Sequence, residues 1–240
     1  MTTSFKGVAL RLHGPMQAWG GPVIGDNRPT LPFPTRSGVL GLVAACMGVL
    51  RGNSERLIAI ADGTRVHIRV DAPGTPLVDD QTIQDNPSAS STRQTIQSKR
   101  TYLCDASFVA VVVPGPHVSV GEVARAVQFP VFSPFLGRRT CVPSTPLLIA
   151  EEVIGEDPIA LFDAIEEGPA DLLDQLRAHT PRRYGEEEKA PRKLQDFYLD
   201  LPEYPGMLRR IPVRDDLAGP LVRQWRERYA VHVRVSDRTA

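Results

Sequence analysis

The order of patterned segments in the first 153 residues predicts an α+β fold built on a βαββαβ unit of the ferredoxin-like, or RRM-like, kind. Three observations point to it. Apolar helical stretches stand between short extended runs, giving strand, helix, strand, then strand, helix, strand. A long polar insertion separates the second strand from the third. Residues 154–240 show no internal repeat and no compositional linker, so they read as a small C-terminal extension packed on the first domain.

Val8-Ala9-Leu10-Arg11-Leu12 alternates and ends at His13-Gly14-Pro15, giving a first strand with a turn after it. A glycine loop through Gly20, Gly21 and Gly25 leads into an extended arm and then to Phe33-Pro34-Thr35-Arg36-Ser37-Gly38. The Pro34 ring disfavours helix at Phe33 and Thr35 suits an N-cap, so the first helix begins there and carries the apolar run from Gly38 to Leu50. Arg51-Gly52-Asn53 stops it, and Ser54 to Ala61 reads as a second, polar helical turn. Arg65 to Val70 alternates Arg65, His67 and Arg69 with Val66, Ile68 and Val70, which predicts a half-buried strand with a basic outer face.

From Asp71 to Lys99 the apolar pattern disappears; the segment is a projecting hairpin, a functional loop, or a stretch that orders on binding. Tyr102 to Val113 resumes as a buried strand, Val118 to Val127 is a helix, Phe132 to Arg139 a loop, and Pro146 to Val153 the last strand of the unit. Beyond it, Asp157 to Leu176 is an acidic helical region broken by Gly168-Pro169, and Thr180 to Arg192 is a charged loop. Phe197 to Leu201 and Val231 to Val235 read as strands joined through the arginine-rich RRIPVRDD and RQWRERYAV.

The net charge of zero hides an asymmetry. Residues 1–149 carry 14 Lys and Arg against 9 Asp and Glu, residues 150–203 carry 6 against 15, and residues 204–240 carry 8 against 4. Basic ends around an acidic middle point to a nucleic acid or another charged partner, with a neutral solvated surface as the bland alternative. The cysteines Cys46, Cys104 and Cys141 are widely spread, which fits free thiols in a reducing cytoplasm. Met1 to Lys6 is polar and no secretory leader is expected. The longest apolar run has 13 residues, short of the roughly 20 needed to span a bilayer, so a cytoplasmic protein without a membrane partner is expected.

Most catalytic chemistry fails on spacing. Cys104, His117 and Cys141 form no metal-ligand pair, so no metal and no cofactor is expected. The glycine loop lacks the lysine of a Walker A loop, and no GxSxG elbow is present. His13 and His117 are each a general base for RNA cleavage or a turn histidine. Binding chemistry survives. Thr35, Arg36 and Ser37 sit at a helix N-terminus, whose free N–H groups and partial positive charge suit a phosphate. Arg28, Arg36, Arg138 and Arg139 lie in loops or caps beside glycine or proline, and the guanidinium fork matches phosphate oxygens. Trp19 is a stacking platform for a base or a hydrophobic plug; Arg93, Lys99 and Arg100 in the insertion are backbone grips or an exposed basic loop.

The segments LRLHGPMQAWG, RPT, FPTRSGVLGLVAACMGVLRG, RTYLCDASFVAVVV and PFLGRRTC, in that order, resemble the Cas-five branch of the repeat-associated (RAMP) RNA-binding superfamily, in its type I-E form. The resemblance spans about residues 8–150. It implies a modified RRM-like fold whose β-hairpin thumb matches the insertion at 73–101, and a non-catalytic role as a subunit of the CRISPR surveillance complex Cascade in antiviral defence. The implied partners are the 5′ handle of the crRNA, the large subunit, a backbone subunit and, indirectly, target DNA. On this reading Thr35, Arg36 and Ser37 meet handle phosphates. Gly137, Arg138 and Arg139 form a facing basic loop. Gln17 and Trp19 touch splayed bases, and Arg93, Lys99 and Arg100 lie on or beside the thumb. Relatives of another subtype cut the crRNA precursor, so a metal-independent endoribonuclease is the alternative, with Tyr102 and Lys99 the nearest approach to a cleavage group.

Overall fold

The computed structural model describes residues 4–23, 25–84, 95–165, 194–217 and 225–236. In chain order the elements are β1 (Phe5–His13), β2 (Met16–Gln17), β3 (Asn27–Arg28), α1 (Arg36–Cys46), α2 (Ser54–Ala61), β4 (Arg65–Ala72), β5 (Thr75–Gln84), β6 (Thr95–Cys104), β7 (Ser107–Val113), α3 (Val120–Gln128), β8 (Leu148–Gly155), β9 (Leu194–Leu199), β10 (Arg209–Leu217) and β11 (Trp225–Ser236). Seven strands form one antiparallel sheet in the order β10-β11-β9-β4-β7-β1-β8. A second sheet has β6 at its centre, with β5 on one edge and β2 and β3 on the other. The chain is a mixed α+β protein dominated by antiparallel pairing.

Side-chain alternation gives the large sheet two apolar faces. Val8, Leu10 and Leu12 of β1 and Phe108, Ala110 and Val112 of β7 pack with Val39 and Val43 of α1 and Val123 and Val127 of α3. Ala9, Val109 and Val111 point the other way, against Leu161 and Phe162 of a short 3-10 turn and Phe197, Val231 and Val233 of the C-terminal strands. Each large side chain buried here contributes roughly 1.5–3 kcal/mol of transfer free energy.

This second layer overturns the expectation of a basic outer face on the strand at Arg65. His67 is fully buried and Arg69 nearly so. Arg69 pairs with Asp71 (2.8 Å) and donates to the Ile165 carbonyl (3.0 Å), so its charge is matched rather than presented. The C-terminal strands join the same sheet: β9 pairs with β4 from Ile68↔Tyr198 to Val70↔Asp196. β10, read from sequence as an arginine-rich connection, is an edge strand and so tolerates Pro212. The strands at Phe197 and Val231 are present. Of the acidic region expected at Asp157 to Leu176, only the part through Ile165 is described, and it holds the 3-10 turn; the charged loop from Thr180 to Arg192 lies outside the described residues.

Helix α1 starts after the Thr35 cap, whose hydroxyl accepts from the Gly38 amide (3.2 Å), as the proline and threonine require. It stops at Cys46 rather than Leu50. Gly48 takes a left-handed φ of 75°, its amide bonds Ala45 and that of Val49 bonds Ala44, which closes the helix by the Schellman pattern. The stretch from Tyr102 to Val113 is likewise two strands. Asp105 has a φ of 55°, and here the chain leaves the second sheet for the first. Gly74 turns it on the outward path with a φ of 71°, where a Cβ would stand 2.6 Å from the Cys104 carbonyl oxygen. Between these pivots the insertion is an antiparallel hairpin, β5 with β6, in register from Thr75↔Cys104 to Gln84↔Thr95.

Candidate nucleic-acid interface

The glycine loop is a plug rather than a base platform. Trp19 is 1% exposed and Gln17 is 0% exposed. The Gln17 amide donates to the carbonyls of Leu12 (3.1 Å) and Ala106 (2.7 Å), and its oxygen accepts from the Trp19 indole (2.9 Å). These bonds satisfy both buried polar side chains and tie β1 to the root of the hairpin. The indole then seals the start of α1: a Cβ on Gly38 would lie 3.0 Å from its ring. The expectation that Gln17 and Trp19 touch splayed bases is corrected on this point.

Arg36 needs the same correction. It is 7% exposed and turned inward, toward the end of α2 and Asp200. Its Nε donates to the Thr64 carbonyl (3.0 Å) and faces Asp200 Oδ2 (3.2 Å), while Nη2 donates to the Ala61 carbonyl. Asp200 also accepts from Arg228 (3.0 Å) and from the Val66 amide (3.1 Å). Arg36 therefore joins α1, the end of α2 and the C-terminal strands. Thr35 is buried in its capping role, and Ser37 is partly buried and engaged in an interaction of its own. The helix N-terminus is a structural joint, not an open phosphate cup.

The remaining cations converge elsewhere, at the base of the hairpin. Strand β3 runs parallel to β6, with Asn27 opposite Lys99 and Arg28 opposite Arg100. The loop after α3 closes on the same place. Gly137 holds a φ of 91°, and a Cβ there would sit 1.7 Å from the Ala18 oxygen, so only glycine fits. Ala18 donates to Leu136 (3.0 Å) and Cys141 to Arg138 (2.8 Å), which fixes the loop. The Arg138 guanidinium lies 4.6 Å above the Tyr102 ring and donates to the carbonyls of Thr101 (3.2 Å) and Arg28 (2.8 Å). Arg138 is thus the clasp that ties loop, β3 and β6 together. Arg28, Lys99 and Arg139 are exposed beside it.

Arg100 is partly exposed, and its buried Nε has no hydrogen-bond partner among the described residues. The acids nearby are Asp79 and Asp80, opposite Arg100 and Lys99 across the ladder, and Asp26 on the arm. The Lys99–Asp80 pair, 3.8 Å apart and largely exposed on both sides, holds little of either charge. Among the described residues, five cations around three acids leave a positive surface. Arg93 lies outside the described residues.

The cleavage candidates are placed less favourably. Tyr102 is 5% exposed beneath Arg138. His13 is buried at the end of β1, and His117 faces Asp62 at 3.0 Å. Burial pushes the Cys46 thiol up to about 11 and raises Cys104 and Cys141 as well, so all three free thiols are poor nucleophiles. Among the described residues no cluster of His, Cys, Asp or Glu could hold a metal, and no helix is long and apolar enough to cross a membrane. Sequence reasoning missed Asp200, more than 160 positions from Arg36, because no local pattern marks such a partner. It missed β3 too, since two residues carry no periodicity.

Comparison with known proteins agrees with the layout. A family model described as CRISPR-associated protein (Cas_Cas5) matches residues 7–212. The CRISPR system Cascade subunit CasD of Escherichia coli (strain K12) is 39% identical over 153 residues, covering 58% of this chain and 68% of that protein. A chain of a solved CRISPR RNA-guided surveillance complex superposes with a TM-score of 0.65 at 30% identity, covering 96% of this chain and 89% of the other. A crystal structure of a Cas protein gives 0.54 at 27% identity, covering 96% and 93%. With 206 of its 240 residues inside the family match and the same layout in solved relatives, the chain belongs to the Cas5 family of CRISPR-associated proteins.

Proposed function

We propose that this chain is a subunit of a type I-E CRISPR surveillance complex, Cascade, and binds the 5′ handle of the crRNA without cutting it. The observation that carries the reading is the convergence of Arg28, Lys99, Arg100, Arg138 and Arg139 on one surface at the base of the hairpin. A positive groove beside a β-hairpin is suited to tracking a phosphate chain. The similarity to CasD and to a chain of an RNA-guided surveillance complex supports membership of such an assembly. On this reading the handle lies across β3, β6 and the Gly137 loop, the hairpin acts as the thumb, and the protein neighbours are the large subunit and a backbone subunit. Target DNA is met only through them, and the complex works in the cytoplasm.

The strand order β8-β1-β7-β4, antiparallel throughout, with α1 and α3 in the two crossovers, supports assigning the core to the ferredoxin-like or RRM-like class. Residues 1–153 are then the RNA-binding domain and 154–240 an extension that widens its sheet. The non-catalytic assignment draws on the buried Tyr102 and the Asp62-paired His117.

The test uses positions with no structural duty. Arg139→Glu with Lys99→Glu should weaken binding of a labelled crRNA by at least about tenfold, on the order of 1.4 kcal/mol, with the melting temperature unchanged. Unchanged affinity would place the handle elsewhere. Incubating the purified chain with a labelled repeat RNA should leave the RNA intact; a discrete cut would establish the endoribonuclease instead.

A further inference from the structure

We infer a second interface on this chain: an apolar ridge of Leu50, Phe129, Val131 and Phe132 that seats a protein subunit carrying an apolar pocket rimmed by carboxylates. These side chains are between 41% and 69% exposed. They form one feature because the segment after α3 folds against the end of α1. The Val131 amide donates to the Cys46 carbonyl (2.9 Å) and the Phe132 amide to the Ala45 carbonyl (3.2 Å). A Cβ on Gly48 would stand 2.9 Å from Val131 Cγ1, and Leu50 follows two residues on. The Val131 bond satisfies the Cys46 carbonyl at the open end of the helix, and the Phe132 bond adds a second donor to the Ala45 carbonyl, which already accepts from the Gly48 amide. They also hold the ridge in place before any partner arrives, so little ordering entropy is lost on docking.

Two features fix the occupant. The rim is cationic: Arg51 adjoins Leu50, and Arg125 stands one helical turn before Phe129 on α3, both exposed and with no ion pair among the described residues. Aromatic side chains with arginines around them are the composition of a protein interface core and rim. Leu50 and Val131 give no ring on which a base could stack, which favours protein over RNA. The ridge is also continuous in the chain with the RNA-facing loop, four residues (Ser133 to Leu136) before Gly137. A subunit docked here adjoins the bound handle, as a shared ribonucleoprotein assembly requires. The inference rests on the assembly proposed above and names the surface that holds its protein neighbour.

The experiment is reconstitution of the complex from this chain, guide RNA and the remaining protein subunits, read by native mass spectrometry. Phe129→Asp with Val131→Asp should reduce occupancy of one protein subunit at least tenfold, while crRNA affinity of the chain alone stays within twofold. Arg51→Glu with Arg125→Glu, which leaves the apolar side chains in place, should lower the same occupancy and make it less sensitive to salt. Full protein occupancy in the first variant overturns the inference. So does loss of RNA affinity in that variant, which would make the ridge a stacking surface, or a concentration-dependent dimer of the wild-type chain that the variant abolishes. A wild-type chain that joins no complex overturns this inference and the proposed function together, whereas failure of the ridge variants alone leaves the RNA site standing.

Discussion

Replacing Trp19 by alanine is expected to lower stability by about 3–5 kcal/mol, because a fully buried indole leaves a cavity that its neighbours cannot fill. Urea unfolding measures this, and crRNA affinity of the folded fraction should not change. Arg36→Ala is expected to cost about 3 kcal/mol by leaving Asp200 short of one cation and taking the guanidinium donors from the Thr64 and Ala61 carbonyls, the second of which keeps the Thr64 amide. Both are residue types that meet RNA, and both turn inward. In the sequence Trp19 stands open between two roles, and only burial decides. His67 adds a pH dependence. Burial, with Arg65 and Arg228 nearby, lowers its pKa from 6.5 to about 3, so the folded protein holds it neutral. The unfolded chain takes up a proton that the folded chain refuses. Stability is therefore whole above pH 6.5 and falls as the pH drops toward 3, by up to about 1.4 kcal/mol per unit from this group. Urea midpoints at pH 7 and pH 5 should converge in His67→Gln.

The hairpin and the basic loop work as elements only because short joints aim them. Arg138→Lys keeps the charge but loses the fork that bonds Thr101 and Arg28 together and the flat face over Tyr102. It is expected to reduce crRNA affinity severalfold with net charge constant, as a binding titration beside the wild type would measure. Gly74→Ala forces a left-handed backbone onto a Cβ with no space, at a cost of about 1–3 kcal/mol. Much of this scale was legible in the sequence. Pro34 with Thr35 set the start of α1, Ser54 to Ala61 is α2, and the loss of apolar pattern after Asp71 marked the insertion. The break at Asp105 was not, because the apolar pattern runs through it and a single left-handed residue leaves no periodic trace. The helix end at Cys46 was misplaced for a related reason: Val49 and Leu50 continue the apolar run after Gly48 has turned the backbone.

At the scale of the whole molecule, charge and sheet have been sorted to different places. Several arginines of the sequence balance serve internal pairs. Arg69 meets Asp71, Arg228 meets Asp200, and Arg234 meets Asp196, whose pKa is lowered by Arg234 and His232 against the upward pull of burial. The five cations at the hairpin base are gathered on one surface, in position to act outward together. If each meets a phosphate, log affinity should fall with log salt at a slope of about −3.5, and Arg139→Glu with Lys99→Glu should flatten it. The asymmetry of charge along the sequence was visible, but which arginines were already paired was not, since partners lie as far as 164 positions away.

A crosslink map of crRNA to the assembled complex addresses the central claim most directly. Crosslinks from the 5′ handle are expected at Arg28, Lys99, Arg100 and Arg139, with none at Gln17, Trp19 or Arg36. A map concentrated on Thr35 to Ser37 and bare at the hairpin base would contradict the account.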